Sequence, residues 1–263
     1  MPNNAIARVN FATTVEKAGH PTLALTHFEQ VIEAPDVDAQ TKITARHRYG
    51  VLQLSEASYM CTEKDRSAQR DSEQCALEKS ARLEKGVHYL QLLLRDAQAD
   101  VGVDTDATQA AEAASRLMTA EHRRLLAQAL VQLNRIAEAQ AEYESLRTMG
   151  QSAAASWETA LYTFEYGQLL ENQGETSKAQ GIYEEALAMN DPKAHARLCA
   201  LEYPLERTVL HCARILEILP EAQHPSPAIR QVYTMLGKGY GLLGMLTEEQ
   251  SLYDKGKQLG VYR

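Results

Sequence analysis

The chain has 263 residues and a formal net charge of −8, with a pI near 5.5. This acidic balance argues against binding to the nucleic-acid backbone, which requires a clustered basic surface. No apolar run approaches the ~18 residues of a membrane span, and the first residues lack the apolar core of a secretory signal, so we expect a cytoplasmic or nuclear location without membrane association. Three Phe, one Trp and eight Pro in a chain rich in Ala, Leu and Glu favour helix throughout, and we predict an all-α fold.

Residues 5–35 predict two amphipathic helices joined by a short turn, the first of several such hairpins. Five residues in this segment have a spacing that recurs in later hairpins, and we call them marker residues. Counted from the first of them, at offset 0, they lie at offsets 0, 7, 12, 16 and 19 and are Ala12, Gly19, Ala24, Phe28 and Val31. Small residues at offsets 0 and 12 let the paired helices approach closely, and the larger residue at offset 16 fills space between neighbouring pairs. The residue at offset 7 ends the first helix.

A second hairpin begins at "ARHRYGVLQL", with Gly50 at offset 0. A polar insertion at residues 55–74 replaces the expected short turn and predicts a mobile loop or extended helix ends. A helix is expected to follow over about residues 75–97. Cys61 and Cys75 flank the insertion, and because none of the four cysteines forms a CxxC pair, we expect reduced thiols.

Two further hairpins follow at residues 120–149 and 155–190, and the first helix of the former starts near Thr108. At the same five offsets, the marker residues of the hairpin at 120–149 are Ala127, Asn134, Ala139, Tyr143 and Leu146. Those of the hairpin at 155–190 are Gly167, Gly174, Ala179, Tyr183 and Ala186. A less regular hairpin at residues 193–220 contains Pro204, which ends its first helix near Tyr203. His195 and Cys199 share a helix face there, but no further ligands accompany them, and no metal site is expected.

The last hairpin, residues 227–260, contains four glycines within "LGKGYGLLG". A phosphate-binding loop is not predicted, because Lys238 lacks the GxxxxGK[ST] spacing and the preceding residues are helical rather than extended. Gly237 and Gly244 occupy offsets 0 and 7, but Gly239 and Gly241 have no role in this pattern. Since each interior glycine costs a helix about 1 kcal/mol, we expect a soft helix or a place where another backbone approaches closely.

These markers, together with Tyr233, Leu236 and Tyr240 around Gly237, resemble the tetratricopeptide repeat (TPR). The resemblance implies an all-α, right-handed TPR-like α-solenoid of about five to six helical hairpins. It also implies one domain over residues 1–263, interrupted by the polar insertion.

The resemblance further implies a concave groove formed by the first helix of each hairpin. Since no catalytic motif or cofactor-binding motif is present, we expect a noncatalytic scaffold or adaptor that binds a protein or peptide, such as an extended segment of a larger subunit. The expected partner-binding residues are His47, Val51, Arg124, Gln128, Phe164, Gln168, Thr234 and Lys238.

Other functions stay open at this point. "TARHRYGVLQ" followed by "LEKGVHYLQLL" is similar to part of the TPR subunit of the cohesin loader, and a small-molecule-sensing or enzymatic TPR protein is a second alternative. A homo-oligomer is compatible with this fold. His and Arg near the start of three first helices suggest a basic strip for an acidic segment. A chaperone-type carboxylate clamp is not expected, because Val9, Thr13, His47 and Val51 stand at its Lys and Asn positions.

Overall fold

The computed structural model describes residues 4–61, 72–100, 109–151, 157–188, 192–201 and 205–262. These ranges contain α-helices, one short 3-10 helix at Glu221–Gln223 and no strand. The α-helices, in chain order, are α1 (Ala5–Lys17), α2 (Pro21–Glu33), α3 (Ala39–Tyr59), α4 (Ser72–Asp100), α5 (Gln109–Gln132), α6 (Ile136–Gln151), α7 (Trp157–Asn172), α8 (Thr176–Ala188), α9 (Pro192–Ala200), α10 (Leu205–Ile218), α11 (Pro227–Leu242) and α12 (Leu246–Gln258). Within these ranges the predicted all-α fold is confirmed. Half of the polar insertion, residues 62–71, lies outside the described residues.

The chain divides into two compact units, Met1–Ser145 and Leu146–Arg263, and the boundary falls within α6. In the first unit, α1 packs on α2, α2 on α3, α3 on α4 and α4 on α5. In the second, consecutive helices from α7 to α12 pack on one another in the same way. The expectation of a single domain over residues 1–263 stays a prediction.

Four hairpins turn in the same manner, at the residue predicted from offset 7. These four residues have left-handed backbone conformations: Gly19 (φ 82°), Asn134 (φ 59°), Gly174 (φ 77°) and Gly244 (φ 72°). At the α7–α8 turn, the Gly174 N–H donates to the Glu171 carbonyl at 2.9 Å, and the Glu175 N–H donates to the Leu170 carbonyl at 2.9 Å. The other three turns repeat both bonds at equivalent positions. This pair of hydrogen bonds satisfies the last carbonyls of the first helix and confirms the predicted helix end.

Marker residues at offsets 0, 12 and 16 form the contacts between paired helices. Ala12, Ala24 and Phe28 are fully buried between α1, α2 and the following helix. In the α7–α8 hairpin a Cβ at Gly167 would lie 2.5 Å from the Tyr183 ring, so only glycine fits beside this buried tyrosine. The small residue at offset 0 therefore sets how closely the two helices approach, as predicted from the sequence.

Two hairpins, α3–α4 and α9–α10, have no left-handed Gly or Asn at the turn. In each of them a disulfide joins the two helices. Cys61 at the end of α3 is bonded to Cys75 in α4, with a Cα–Cα distance of 5.9 Å. Cys199 in α9 is bonded to Cys212 in α10, with a Cα–Cα distance of 5.0 Å. The expectation of reduced thiols was wrong. Antiparallel neighbouring helices bring residues 14 and 13 positions apart within bonding range, which local cysteine spacing does not reveal.

The last hairpin departs from the shared packing. Gly237, at offset 0, has ordinary room for a Cβ, which would lie 3.8 Å from Leu252. The close approach occurs instead at Gly239, where a Cβ would overlap Cγ2 of Val209 in the preceding helix α10. Tyr253, at offset 16, is 49% exposed and stacks on Tyr262 rather than filling the space between hairpins. A glycine is therefore required at position 239, because α10 packs closely against α11 there. The prediction that Gly237 allows the close approach of the paired helices α11 and α12 was wrong.

Two glycine substitutions in α11 are expected to change stability in opposite directions. Gly239→Ala should lower the free energy of unfolding by about 1–3 kcal/mol, because the β-branched Val209 cannot move its methyl group aside cheaply. Gly237→Ala should raise it by up to about 1 kcal/mol, because alanine costs the helix less entropy and meets no overlap. Chemical denaturation of both variants provides the measurement. Equal effects at the two positions would contradict the packing described for α11.

Candidate interaction surface

One face of the first unit is formed by the first helices of its hairpins. Helix α3 contacts both α1 and α5, while α2 and α4 pack against these three helices. Four of the residues expected to bind a partner lie here and are half-buried: His47 and Val51 on α3, and Arg124 and Gln128 on α5. We call the surface of α1, α3 and α5 the first-helix face. The structure brings these four residues onto neighbouring helices, and their binding role stays a prediction.

Four arginines on α3 and α5 have acidic partners within the chain. Arg48 on α3 lies 4.0 Å from Glu16 on α1, and Arg124 lies 3.3 Å from Glu121. Their sequence neighbours are also paired: Arg46 with Asp96 at 2.8 Å and Arg123 with Glu142 at 2.5 Å. Since carboxylates compensate these charges, the basic strip suggested for an acidic segment is not favoured in the first unit.

Two histidines meet where α3 and α5 approach. The ring centroids of His47 and His122 are 4.7 Å apart, with the rings tilted by 60°. Burial lowers the pKa of His122 to about 4, with a further contribution from His47. Burial also lowers the pKa of His47, together with the charge of Arg48. Both imidazoles are therefore neutral at pH 7, and they contribute packing rather than charge to the first-helix face.

This histidine contact predicts a loss of stability in mild acid. The unfolded chain takes up a proton on His122 near pH 6.5, but the native protein does so only near pH 4. The free energy of unfolding should therefore fall as pH decreases from 6.5 to 4, by about 1–2 kcal/mol after allowance for the partly exposed ring. Denaturation curves across this pH range for wild type and His122→Gln provide the measurement.

The glutamine variant should reduce the fall by about the contribution of His122, because its side chain does not titrate, while the other histidines whose pKa is lowered keep their own contributions. His20→Gln, at an exposed position of the α1–α2 turn, is the matched control, because it removes a histidine that lies away from the His47–His122 contact. A wild-type profile that coincides with the His122→Gln profile would refute the effect.

In the second unit the four expected binding residues are differently placed. Gln168 on α7 is exposed, as are Thr234 and Lys238 on α11. Phe164 is only 7% exposed and packs in the core with its ring centroid 5.6 Å from that of Tyr183. Phe164 lies one turn before Gly167, on the side of α7 that faces α8, which is why it points inward. The expected partner-binding residue Phe164 is therefore not on the surface.

A polar network, missed by the sequence analysis, joins three helices of this unit. The Tyr183 hydroxyl donates to the Glu171 carboxylate at 2.8 Å, and Arg197 on α9 donates to the same carboxylate through Nε at 3.1 Å and through a second nitrogen. Burial and the Glu171 carboxylate raise the pKa of Tyr183 above its ordinary range. Glu171 lies in the last turn of α7. Its carboxylate connects α7 to α8 and α9.

A second histidine pair lies between α9 and α10. The Nδ1 atoms of His195 and His211 are 3.3 Å apart. Burial lowers the pKa of His195 to about 4, with contributions from His211 and Arg214, and burial also lowers the pKa of His211. The sequence singled out His195 with Cys199, but the partner of His195 is His211 and that of Cys199 is Cys212. Within the described ranges, no group of three or more His, Cys, Asp or Glu side chains could hold a metal ion.

The outer side of α12 contains an open depression of about 950 Å³. Its lining is mixed: Leu246 is exposed, and Lys255 lies 3.1 Å from Glu221 across it. None of the residues expected to bind a partner lines it. Among the helices that the structure describes, none combines the length and the apolarity needed to cross a bilayer.

Comparison with known proteins gives structural likeness without a family assignment. No protein-family model and no curated protein matches the sequence. Among solved structures, BtubC (BKLC) from P. vanneervenii is similar, with 17% identity, a TM-score of 0.48 and coverage of 80% of this chain and 90% of that chain. A putative kinesin light chain with nearly identical TPR-like repeats from Podosopora anserina is similar at 13% identity and a TM-score of 0.38, covering 99% and 97% of the two chains. A point variant of that putative kinesin light chain is similar at 14% identity and a TM-score of 0.38, covering 96% and 92%.

Proposed function

We propose that this chain is a noncatalytic protein-interaction scaffold or adaptor that binds an extended segment of a partner subunit on its first-helix face. The observation that supports this most is the side-by-side placement of α1, α3 and α5, with α2 and α4 packed against them. This arrangement leaves a continuous surface that spans several hairpins. Helical repeat proteins use such surfaces to bind extended segments.

The composition of the first-helix face suits an extended polypeptide. Val51 offers a half-buried apolar contact, and Gln128 carries an amide group of the kind that bonds a peptide backbone. The paired arginines leave little net positive charge, so we expect recognition by shape, hydrogen bonds and apolar contact rather than by attraction of an acidic partner.

Matched charge substitutions test the location of the surface. Affinity purification of wild type, Val51→Glu and Leu77→Glu from the cells that produce the protein, followed by mass spectrometry, compares the recovered partners. Leu77 is exposed on α4, in the same unit but on a second helix of a hairpin. We expect Val51→Glu to lose a protein that wild type and Leu77→Glu both retain, because a buried carboxylate at the interface has no compensating partner.

Circular dichroism and a thermal melt establish that both variants are folded before binding is compared. Recovery of the same proteins with Val51→Glu as with wild type would place binding elsewhere. Failure of wild type to recover any protein would count against the scaffold function itself.

The two alternatives from the sequence stay predictions. Neither the similarity to the cohesin-loader subunit nor a small-molecule or enzymatic role is favoured by a particular contact among the described residues. For the cellular compartment, our proposal differs from the cytoplasmic or nuclear location expected from the sequence. Two disulfides favour an oxidising compartment over the cytoplasm or nucleus, where thiols are usually kept reduced.

A further inference from the structure

We propose that the Cys61–Cys75 disulfide is a thiol-exchange site, at which an external thiol forms a mixed disulfide with Cys61 and releases Cys75. This inference does not rest on the proposed partner function. The carrying observation is an asymmetry within the bond. Cys61 is half-buried and lies just beyond the end of α3, whereas Cys75 lies within α4 and is only 3% exposed. One end of the bond is therefore accessible to an attacking thiolate, and the other end is covered.

The direction of attack follows from this burial. A thiolate displaces one sulfur of a disulfide by approaching in line with the S–S bond, from the side opposite the leaving sulfur. Attack on Cys61 comes from the side away from the buried Cys75. Attack on Cys75 would require access to a side chain that is almost fully covered. Cys61 therefore takes the incoming thiol, and Cys75 is the leaving group.

The backbone of Cys61 favours opening of the bond. Cys61 has a left-handed conformation (φ 63°), which among the non-glycine residues of the described ranges it shares with Asn134 alone. Asparagine adopts this conformation more readily than other residues with a Cβ. The bond to the buried Cys75 holds Cys61 in place, and after exchange Cys61 is free to rotate into an ordinary conformation. Exchange therefore relieves backbone strain, and strained or exposed disulfides are the ones that exchange readily.

The α3–α4 hairpin has close contacts that do not depend on this bond. The two helices approach closely at Gly50 and Gly86, and a Cβ on Gly86 would overlap the side chain of the buried Leu54. Since this packing lies along the helices rather than at their ends, we expect exchange at Cys61 to leave α3 and α4 in contact. Cys75 then stays next to the mixed disulfide.

The electrons and protons of the exchange balance. The external thiolate forms an S–S bond with Cys61 while the Cys61–Cys75 bond breaks, and the Cys75 thiolate takes up the proton that the external thiol lost to water. No oxidant or reductant is consumed, because one disulfide replaces another. In the reverse step, the Cys75 thiolate attacks the Cys61 sulfur and expels the external thiol. The site therefore attaches a thiol reversibly.

Reduced glutathione is the probe that tests the site in the wild-type protein. The oxidised full chain is incubated with excess reduced glutathione under native conditions, free thiols are blocked with N-ethylmaleimide, and the products are mapped by mass spectrometry. We expect glutathione on Cys61 and a free thiol on Cys75, with at least tenfold less glutathione on Cys75. The Cys199–Cys212 disulfide is the control within the same molecule and should stay intact, because its residues are 1% and 0% exposed. Removal of glutathione before blocking should restore the Cys61–Cys75 bond.

Two single variants test the two cysteines separately. Cys75→Ser and Cys61→Ser each leave one free thiol of the pair, which is offered glutathione disulfide. We expect Cys75→Ser to be modified at Cys61 and to keep the adduct when glutathione is removed, because no resolving thiol is present. Cys61→Ser should react at least tenfold more slowly while it is folded, as monitored by circular dichroism.

The wild-type mapping decides the proposal even where a variant does not fold. Modification of Cys75 in preference to Cys61, equal reaction at the two disulfides of wild type, or reaction of wild type only after unfolding would each overturn it.

Discussion

Tyr183→Ala is expected to lower the free energy of unfolding by about 3–5 kcal/mol, whereas Tyr253→Ala should lower it by less than about 1 kcal/mol. Both tyrosines occupy offset 16 of their hairpins. Tyr183 is fully buried against Gly167 and Phe164, and its hydroxyl donates to Glu171. Its removal leaves a cavity beside a glycine and takes a donor from a carboxylate. Tyr253 is half-exposed and stacks on Tyr262.

Urea denaturation of the two variants against wild type provides the measurement. Tyr183→Phe separates the two contributions, since it keeps the ring but removes the hydroxyl, and should cost about 1–2 kcal/mol. Similar losses for Tyr183→Ala and Tyr253→Ala would mean that the two hairpins pack alike, contrary to the structure.

The second large effect concerns the buried disulfide. Replacing both Cys199 and Cys212 by alanine should lower the free energy of unfolding by about 3 kcal/mol, because the unfolded chain regains the entropy of a closed loop. Both residues are buried in the α9–α10 hairpin, at 1% and 0% exposure. The Cys61–Cys75 disulfide closes a loop of similar length, so the double alanine variant of Cys61 and Cys75 is the matched comparison.

Accessibility distinguishes the two bonds further. Cys61 is only half-buried, so dithiothreitol should reduce the Cys61–Cys75 bond in the native protein. The Cys199–Cys212 bond should resist reduction until the second unit unfolds, because its sulfurs are covered by the core. Alkylation of new thiols followed by mass mapping gives the order. Reduction of both bonds at one rate, or free thiols in the untreated protein, would contradict this assignment.

The features that the sequence predicted well are local. A Gly or Asn seven residues after a small residue is a backbone requirement, and all four such residues have the left-handed conformation. Helix pairing and the buried small residues follow from the same short pattern. The boundaries of α1, α2, α7 and α8 agree with the predicted hairpins for this reason.

The features that the sequence missed depend on neighbours from other hairpins. Gly239 rather than Gly237 makes the close contact, because α10 delivers Val209 to that point. The cysteine pairs depend on distances between helices, which spacing along the chain does not contain. Phe164 satisfied a groove pattern taken from the repeat, but its side of α7 packs on α8. The repeat pattern assumes that a given position has the same surroundings in every hairpin. In the irregular hairpins the neighbouring helices pack differently, so the surroundings of these positions differ.

The two cross-links also limit how far the oxidised chain could be stretched by a mechanical force. Each one bypasses a segment of 14 or 13 residues while holding its ends less than 6 Å apart in Cα separation. At the extended length of a polypeptide, each segment closed by a disulfide would shorten the stretched chain by about 40 Å. A molecule pulled from its two ends should therefore reach full extension about 80 Å short of its reduced form.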